Sequence, residues 1–480
     1  MIMSKLGYPV SPLKGEIMKA YLLIDFGSTY TKLTAVDIEN EEILSTAKDI
    51  TTVESDIMIG FHKAYADLMK SLEDKEVEFV KKLACSSAAG GLKMIAIGLV
   101  PELTAEAAKR AALGAGARVI KVYSYDLTSK EIEEIKRSNL DIILLAGGTD
   151  GGNKECIIHN AKAIAAGGVK LPVVVAGNKV AVDEVEEVFN NFGVYYKTTE
   201  NVMPKLNVLN VEPAREEIRK IFMEKIIEAK GMKEAEGLIS GILMPTPAAV
   251  LKAARVLSQG SDKEEGIGDL VVIDIGGATT DIHSIAEGEP SKPGVTLRGL
   301  EEPLAKRTVE GDLGMRYSAL SLWEAAGTRK VQKYLQDKNF DVEENCTLRS
   351  QNIRMVPETK DEIKFDEAMA KVATDMAMER HVGVIESIYT PMGLIYAQVG
   401  KDLLPLKYFV GTGGVLVHSK AAAEILKAGT FDISNPTYLK PQNPGYLLDK
   451  TYIMSAMGLL AQDYPDMAVR IMKKYLVELA

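Results

Sequence analysis

Residues 20–26, AYLLIDF, form an apolar run that stops at Gly27, and after Ser28 and Thr29 the segment YTKLTAVDI alternates in character. Two short runs around a Gly-Ser-Thr turn predict a β-hairpin. Residues 41–48 predict a third strand, and Ile57, Phe61, Tyr65 and Leu68 recur at helical spacing over about 57–73. A further strand, FVKKLACSS, ends in the small residues Ser86-Ser87-Ala88-Ala89-Gly90-Gly91. From about 92 to 230 the pattern changes. The runs ARVIKVYSYD, DIILLAGG, PVVVAGN and VYYKTTE alternate with helical stretches around Ile132 and Ile135, near 154–166 and near 180–191. Such alternation implies βαβ units and a parallel sheet, so this region reads as a small α/β domain inserted into a larger one.

Beyond it, the turn MPTPAAV leads into a helix, and the polar loop SQGSDKEEGIGD delivers the chain to DLVVIDIGGATTDIHSI, a second hairpin. Residues 303–380 read as mostly helical, with the polar excursion DKNFDVEENC. KYFVGTGGVLVHS predicts a strand, a Gly-rich turn and a helix start; NPTYLKPQNPGYLLDK is loop-like; the end of the chain predicts two helices. The expected division is a tail over 1–17, part of a first lobe over 18–91, the insert over 92–235, a second lobe with its helical excursion over 236–450, and C-terminal helices over 451–480 that return to the first lobe.

Composition narrows the class. The 480 residues allow two to four domains at roughly 100–200 residues each. The net charge of −10 excludes the basic footprint that a duplex nucleic-acid binder needs. Cys85, Cys156 and Cys346 are far apart and form no C-x-x-C pair, so neither a zinc site nor a disulfide framework is indicated. Reduced thiols place the chain in the cytoplasm. No apolar run reaches about 18 residues, so no membrane span is expected, and the first residues lack the apolar core of a secretory signal.

The chemistry rests on a repeat in kind. Ile24-Asp25-Phe26-Gly27-Ser28-Thr29 and Ile273-Asp274-Ile275-Gly276-Gly277-Ala278-Thr279-Thr280-Asp281 share one layout: apolar strand, Asp, apolar residue, Gly, small residues, strand. A polyphosphate needs backbone N–H groups aimed at it, and glycine lets the backbone come close. Ser28, Thr29, Thr279 and Thr280 add hydroxyl donors. An aspartate cannot hold a phosphate directly, but it can hold hydrated Mg²⁺ or orient an attacking water. Asp25 and Asp274 fit that role from opposite walls of one cleft. Asp-Gly turns are common, so one motif alone carries little; two of them about 250 residues apart carry more. Gly411, Thr412, Gly413 and Gly414 then form a strand–turn–helix that can pass close to a base and ribose. Ala456 and Gly458 allow two helices to approach closely at a hinge.

This constellation resembles the actin-like ATPase superfamily: a first phosphate motif from Asp25 to Thr29, a second from Asp274 to Asp281, an adenosine motif from Gly411 to Gly414 and a second connecting helix from about Tyr452 to Leu460. The implied fold is α/β: two actin-like lobes (duplicated ribonuclease H-like domains) with an inserted flavodoxin-like α/β domain. The implied cofactors are ATP or ADP with Mg. Many chaperone members carry a third glycine where this chain has Ala278.

A closer resemblance is carried by LLIDFGSTYTKLTAVD, ACSSAAGGLKM, LAGGTDGGN, VVVAGNKVA, TENVMPKLNVLNVEPAR, MPTPAAVL, VVIDIGGATTDIHS, RTVEGDLGMRYSA and ERHVGV. These are similar to the MutL or GlmL accessory proteins found beside glutamate mutase (methylaspartate mutase). The resemblance implies an ATP-dependent reactivating factor that releases damaged cobalamin from an adenosylcobalamin-dependent mutase or aminomutase, with slow turnover. It implies no nucleic-acid or membrane partner and leaves a homo-oligomer open. The D-x-H-x-x-G motif that supplies a cobalt-ligating histidine in many cobalamin domains is absent from the insert.

Other residues keep two readings. Asp312, in Gly311-Asp312-Leu313-Gly314, is a candidate acidic residue facing the nucleotide, or a helix-start cap. Lys32 is a phosphate contact or a solvated strand lysine. His381 faces the cleft or is a satisfied core histidine. The competing functions on this fold are a small-molecule kinase, an iron–sulfur electron donor, which three scattered cysteines disfavour, and a filament-forming scaffold.

Overall fold

The computed structural model describes residues 17–27, 29–51, 57–87, 92–228, 242–337, 339–391 and 393–479. Ser28, named above as a hydroxyl donor, lies outside the described residues.

The chain opens with an antiparallel meander, β1 (Met18–Phe26), β2 (Tyr30–Asp37) and β3 (Glu42–Ile50). The helix Ile57–Ser71 carries it to β4 (Val77–Ser86), which lies parallel to β1. The insert follows as β5 (Lys93–Gly98), β6 (Arg118–Ser124), β7 (Ile142–Leu145), β8 (Val173–Val175) and β9 (Tyr196–Thr198), with helices between them and a long helix, Glu212–Glu228, after them. Next, β10 (Ile242–Pro245) rejoins the first sheet beside β4.

The helix Thr246–Gln259 then crosses to a second meander, β11 (Leu270–Ile275), β12 (Thr280–Ile285) and, after the short β13 (Val295–Leu297), β14 (Ala305–Glu310). Four helices occupy most of 319–381, and β15 (Val384–Thr390) and β16 (Gly393–Val399) form a small sheet with β13. The chain returns through β17 (Tyr408–Thr412) and β18 (Gly445–Leu448), the helices Met454–Leu460 and Pro465–Tyr475, and β19 (Val477–Leu479).

The two large sheets are copies in topology. One runs β3-β2-β1-β4-β10 and the other β14-β12-β11-β17-β18, with β19 added at its edge. In each, three antiparallel strands are followed by two parallel ones. The helices Thr246–Gln259 and Met454–Leu460 are packed between them. Leu23 and Leu83 of the first sheet share a core with Leu270 and Val272 of the second and with Ala249, Ala253, Met457 and Leu460 of these helices. The close approach expected at Gly458 is present: a Cβ there would stand 1.9 Å from the carbonyl oxygen of Ala249. The outer faces are covered by the helix Ile57–Ser71 on one sheet and by helices from 319–381 on the other.

The inserted sheet is parallel throughout, in the order β6-β5-β7-β8-β9. Counted within the insert this is 2-1-3-4-5, a doubly wound order, with an apolar core on each face. Three expectations need correction, the first being the loop-like stretch NPTYLKPQNPGYLLDK, within which Gly445–Leu448 form β18. Residues 305–310, inside the stretch expected to be helical, form β14, an edge strand whose sequence AKRTVE is too polar to alternate visibly. The C-terminus ends in strand β19 on the second sheet, three residues too few to show a period. Among the described residues no helix is long and apolar enough to cross a membrane.

Candidate nucleotide site between two hairpins

Each meander begins with the same turn. The Gly27 N–H donates to the Tyr30 carbonyl at 3.1 Å, and the Gly276 N–H donates to the Thr279 carbonyl at 2.9 Å. A Cβ at Gly27 would lie 2.5 Å from Tyr30 O, and one at Gly276 would lie 3.0 Å from Thr279 O. Glycine is therefore what lets the chain reverse tightly beyond each aspartate.

Asp25 ends β1 with its carboxylate buried. Thr246 Oγ1 donates to Oδ1 at 2.6 Å and Ser455 Oγ to Oδ2 at 3.0 Å. These hydroxyls belong to the two helices packed between the sheets, so Asp25 is fixed to both. The Cys85 thiol lies 3.6 Å from Oδ1, and burial, then the charge of Asp25, push that thiol well above its ordinary pKa. Across the ladder Asp25 faces Lys32, whose Nζ is 3.9 Å from Oδ2.

Asp274 ends β11 and faces Asp281 across its own ladder. Burial raises its carboxyl first, Asp281 adds to the rise, Lys32 offsets part of it, and Asp25 and Asp449 raise it further, to about 6. Asp25 and Asp274 thus lie in each other's field and share Lys32. On the neighbouring strand Thr412 pairs in register with Asp274. Gly413 follows at φ +101°, and a Cβ there would meet Ile275 O at 2.4 Å and Asp274 Oδ1 at 3.1 Å. Gly411, opposite Ile273, is packed by Leu416 and Leu426. Gly414 opens the short helix Gly414–His418.

A segment below supports the second turn. The Met315 and Arg316 N–H groups donate to the carbonyls of Gly276 at 3.0 Å and Gly277 at 2.8 Å, and Ser318 Oγ donates to the Ala278 carbonyl at 2.7 Å. Thr280 Oγ1 is committed to the Leu313 carbonyl at 2.6 Å, and Thr279 Oγ1 donates to Asp281 Oδ2 at 3.0 Å. Asp312 is committed to an ion pair: both its oxygens accept from Arg380, at 2.7 and 2.9 Å, and that guanidinium also holds Glu310. The Arg380 bonds hold the Asp312 carboxyl below its usual range. His381 is a satisfied core residue, its ring nitrogens each 2.8 Å from a hydroxyl, those of Ser284 and Thr308.

Four residues of the site have no role assigned from the sequence: Thr246, inside MPTPAAVL, Tyr452 and Ser455, inside the connecting-helix motif, and Asp449, outside every motif. Asp449 is buried and accepts the N–H groups of Ile453 at 2.8 Å and Met454 at 3.1 Å and the Thr412 hydroxyl at 3.2 Å. It stands five residues ahead of the helix Met454–Leu460, whose N-cap is Ile453, so no capping signal marks it in the sequence. Tyr452 has a left-handed backbone, φ +55°. Its ring receives Lys32 Nζ at 4.8 Å and Lys48 Nζ at 5.1 Å, and a Cβ on Gly414 would be 3.9 Å from its hydroxyl. Burial, then Asp274 and Asp449, raise that hydroxyl's pKa.

The chain matches the MutL protein family over residues 21–476. It is 78% identical over 461 residues to "Protein MutL" of Clostridium tetanomorphum, covering 96% of this chain and 100% of that one. Among solved structures it is similar to gluconate kinase from Lactobacillus acidophilus, with 10% identity, a TM-score of 0.34 and coverage of 96% and 93% of the two chains. It is also similar to the activator of the 2-hydroxyisocaproyl-CoA dehydratase from Clostridium difficile with bound ADPNP, with 8% identity, a TM-score of 0.30 and coverage of 95% and 97%. The architecture is two lobes whose sheets repeat one topology, each opening on an Asp-bearing hairpin, with two helices packed between them. By the span and degree of these matches, the chain belongs to the MutL protein family.

Proposed function

We propose that this protein is an ATP-dependent, chaperone-like reactivating factor that acts in the cytoplasm on an adenosylcobalamin-dependent mutase, glutamate mutase or an aminomutase, and releases damaged cobalamin from it. The observation that carries the nucleotide part is the pair of carboxylates, Asp25 and Asp274, at the ends of duplicated hairpins and within each other's field.

The residues fit a magnesium nucleotide. Among the described residues no group of three or more His, Cys, Asp or Glu is placed to hold a metal by itself. That suits Mg²⁺, which keeps several waters and is shared between one or two carboxylates and phosphate oxygens. Asp25, Asp274 and Asp449 place more negative charge around the cleft than Lys32 offsets, and a divalent cation would relieve the excess. A bound magnesium would supply neutralisation of the charge that develops in phosphoryl transfer. Asp274 and Asp25 would hold it, directly or through water, and one of the two would orient the attacking water. The Gly27, Gly276 and Gly277 turns bring backbone N–H groups near phosphate, and Gly413–Gly414 leave room for the nucleoside.

A switch of this kind does work on its partner only through different affinities of its ATP and ADP states for open and closed mutase. We read the inserted parallel sheet as a flavodoxin-like domain that contacts the mutase's cobalamin domain. The test is turnover of ATP and recovery of mutase activity from the cobalamin-damaged enzyme, each with the wild type and with Asp25→Ala and Asp274→Ala. The reading requires ATP-dependent recovery that both substitutions abolish. Unchanged ATP turnover in both variants rejects the assigned roles, and turnover without recovery rejects the mutase.

A further inference from the structure

Five residues of the insert, Leu113–Ala117, rest against the supports of both hairpins. The helix Glu106–Gly114 ends here, where the last carbonyls of a helix lack intrahelical donors. Arg307 of β14 adds a side-chain donor: its Nη1 donates to the Leu113 carbonyl at 3.1 Å, which also accepts from the Gly116 N–H at 3.0 Å, and to the Ala117 carbonyl just beyond the helix at 2.9 Å. The rest of the same buried guanidinium grips Asp281, with Nε and Nη2 donating to Oδ1 at 2.9 and 2.6 Å. Asp281 is the cross-strand partner of Asp274. One side chain therefore joins the second hairpin to the insert.

The first hairpin is reached from the adjacent residue. Gly116 has φ +96°, and a Cβ there would lie 2.8 Å from the Pro245 Cβ and 3.4 Å from the Ala248 Cβ. Between them in sequence stands Thr246, the hydroxyl that holds Asp25. Pro245 ends a strand of the first sheet, whereas Arg307 lies on the second. The segment thus has one contact on each lobe, and a change in the angle between the lobes must loosen one contact or carry the segment with it. The helix Glu212–Glu228 clasps it further, since Arg219 Nη2 donates to the Gly114 carbonyl at 3.4 Å and a Cβ on Gly114 would collide with the Arg215 guanidinium.

We propose that Leu113–Ala117 is the element through which the insert responds to the nucleotide state of the cleft, with Arg307 as its positioning residue. This rests on the reading of the cleft as a nucleotide site. A cation and phosphates drawn to Asp274 act on Asp281 through the shared ladder. Arg307 must then follow Asp281 or remain on the helix end, two discrete arrangements that both regions bias.

Hydrogen exchange of the full chain tests it, in the free state, with Mg-ADP and with Mg and a non-hydrolysable ATP analogue, with nucleotide affinity measured on the same samples. Arg307→Gln would leave Asp281 buried and unpaired beside Asp274, so the principal variant is Arg307→Lys: an ammonium reaches Asp281 but lacks the fork for the two carbonyls as well. The wild type should show exchange over 106–124 that differs at least about fivefold between the two nucleotide states, the lower end of ordinary coupling energies. Arg307→Lys should bind nucleotide within about tenfold of wild type and lose most of that difference. Asp281→Asn with Arg307→Gln, compared at saturating nucleotide whatever its affinity, should lose the difference as well. Nucleotide binding with no response in the wild-type insert, or a full response in the variants, overturns the coupling alone. Failure of the wild type to bind nucleotide overturns the cleft reading and the coupling together.

Discussion

The two hairpins have the same turn and opposite electrostatics. Asp25 faces Lys32 across its ladder, and two hydroxyls from separate helices donate to it. Asp274 faces Asp281, a like charge directly opposite, an arrangement that destabilises a sheet unless something compensates. Arg307 of β14 compensates Asp281, while its remaining nitrogen is spent on carbonyls of the insert. The first hairpin is therefore complete as folded, and the second is left with a carboxyl that ionises only near pH 6. The two hairpins carry equivalent aspartates, and their surroundings make one a fixed anchor and the other a buried carboxyl with a raised pKa.

The largest expected effect is on turnover. Asp274→Asn should lower the steady-state rate of ATP hydrolysis at saturating Mg and ATP by about 10²–10³-fold, the scale of losing one electrostatic group at the reacting centre. Asp25→Asn should do the same. Loss in one variant only would show that the lobes do not act on a shared metal and nucleotide.

Stability should separate what turnover does not. In Asp25→Asn the hydroxyls of Thr246 and Ser455 lose a charged acceptor, at a cost of about 1–3 kcal/mol. Asp274→Asn should stabilise the nucleotide-free protein at pH 8. The folded pKa near 6 exceeds the ordinary value of 3.8. The folded state then holds more protons than the unfolded state between these values, so the contribution of Asp274 to stability falls as pH rises from about 4 to about 6. Above that window its charge costs about 1–3 kcal/mol, which the amide avoids. Urea midpoints at pH 8 measure both, and shifts of the same sign would erase the distinction between the hairpins.

Proton competition gives the next effect. Mg-dependent nucleotide binding needs Asp274 ionised, so affinity should fall as pH drops through about 6, toward tenfold per unit below it. Asp274→Asn should flatten that profile while its affinity stays low throughout. Calorimetric titration between pH 5 and 8 decides it, and a wild-type profile that is level through 6 would remove Asp274 from the metal site.

Sequence pattern gave access to this site unevenly, for physical reasons. The hairpins were legible because a strand ending in Asp and turning on Gly leaves a local signature. The insert was legible because buried parallel strands such as Ile142–Leu145 are continuous apolar runs. Asp449 and Tyr452 were hidden in a stretch without periodicity, where the fold alone brings them beside Asp274. Thr246 and Ser455 looked like helix residues because their role depends on where two helices cross. Arg307 was invisible because the polar strand AKRTVE shows nothing of the Leu113 and Ala117 carbonyls it reaches, about 190 residues away in sequence. In the other direction, the motif included Thr280, whose hydroxyl the structure turns to the Leu313 carbonyl.

Lys32 is where the hairpins meet, and its removal should have the smallest effect of the four. Its Nζ is 3.9 Å from Asp25, a partly exposed pair worth little by itself, and Asp25 keeps its two hydroxyl donors in Lys32→Met. The melting temperature should therefore move by no more than about 2–4 °C, the shift from under 1 kcal/mol in a chain of this size. Lys32 is also the positive charge that favours ionised Asp274. Without it that carboxyl should titrate above 6, and Mg-nucleotide affinity should fall by about three- to tenfold at pH 6, on the scale of up to one pKa unit. If Lys32 acts only through Asp274, the deficit closes by pH 8, where the carboxylate is ionised in either form. A deficit that persists undiminished at pH 8 would place the ammonium on a phosphate instead, and would make the first hairpin a ligand of the nucleotide through its lysine as well as its aspartate.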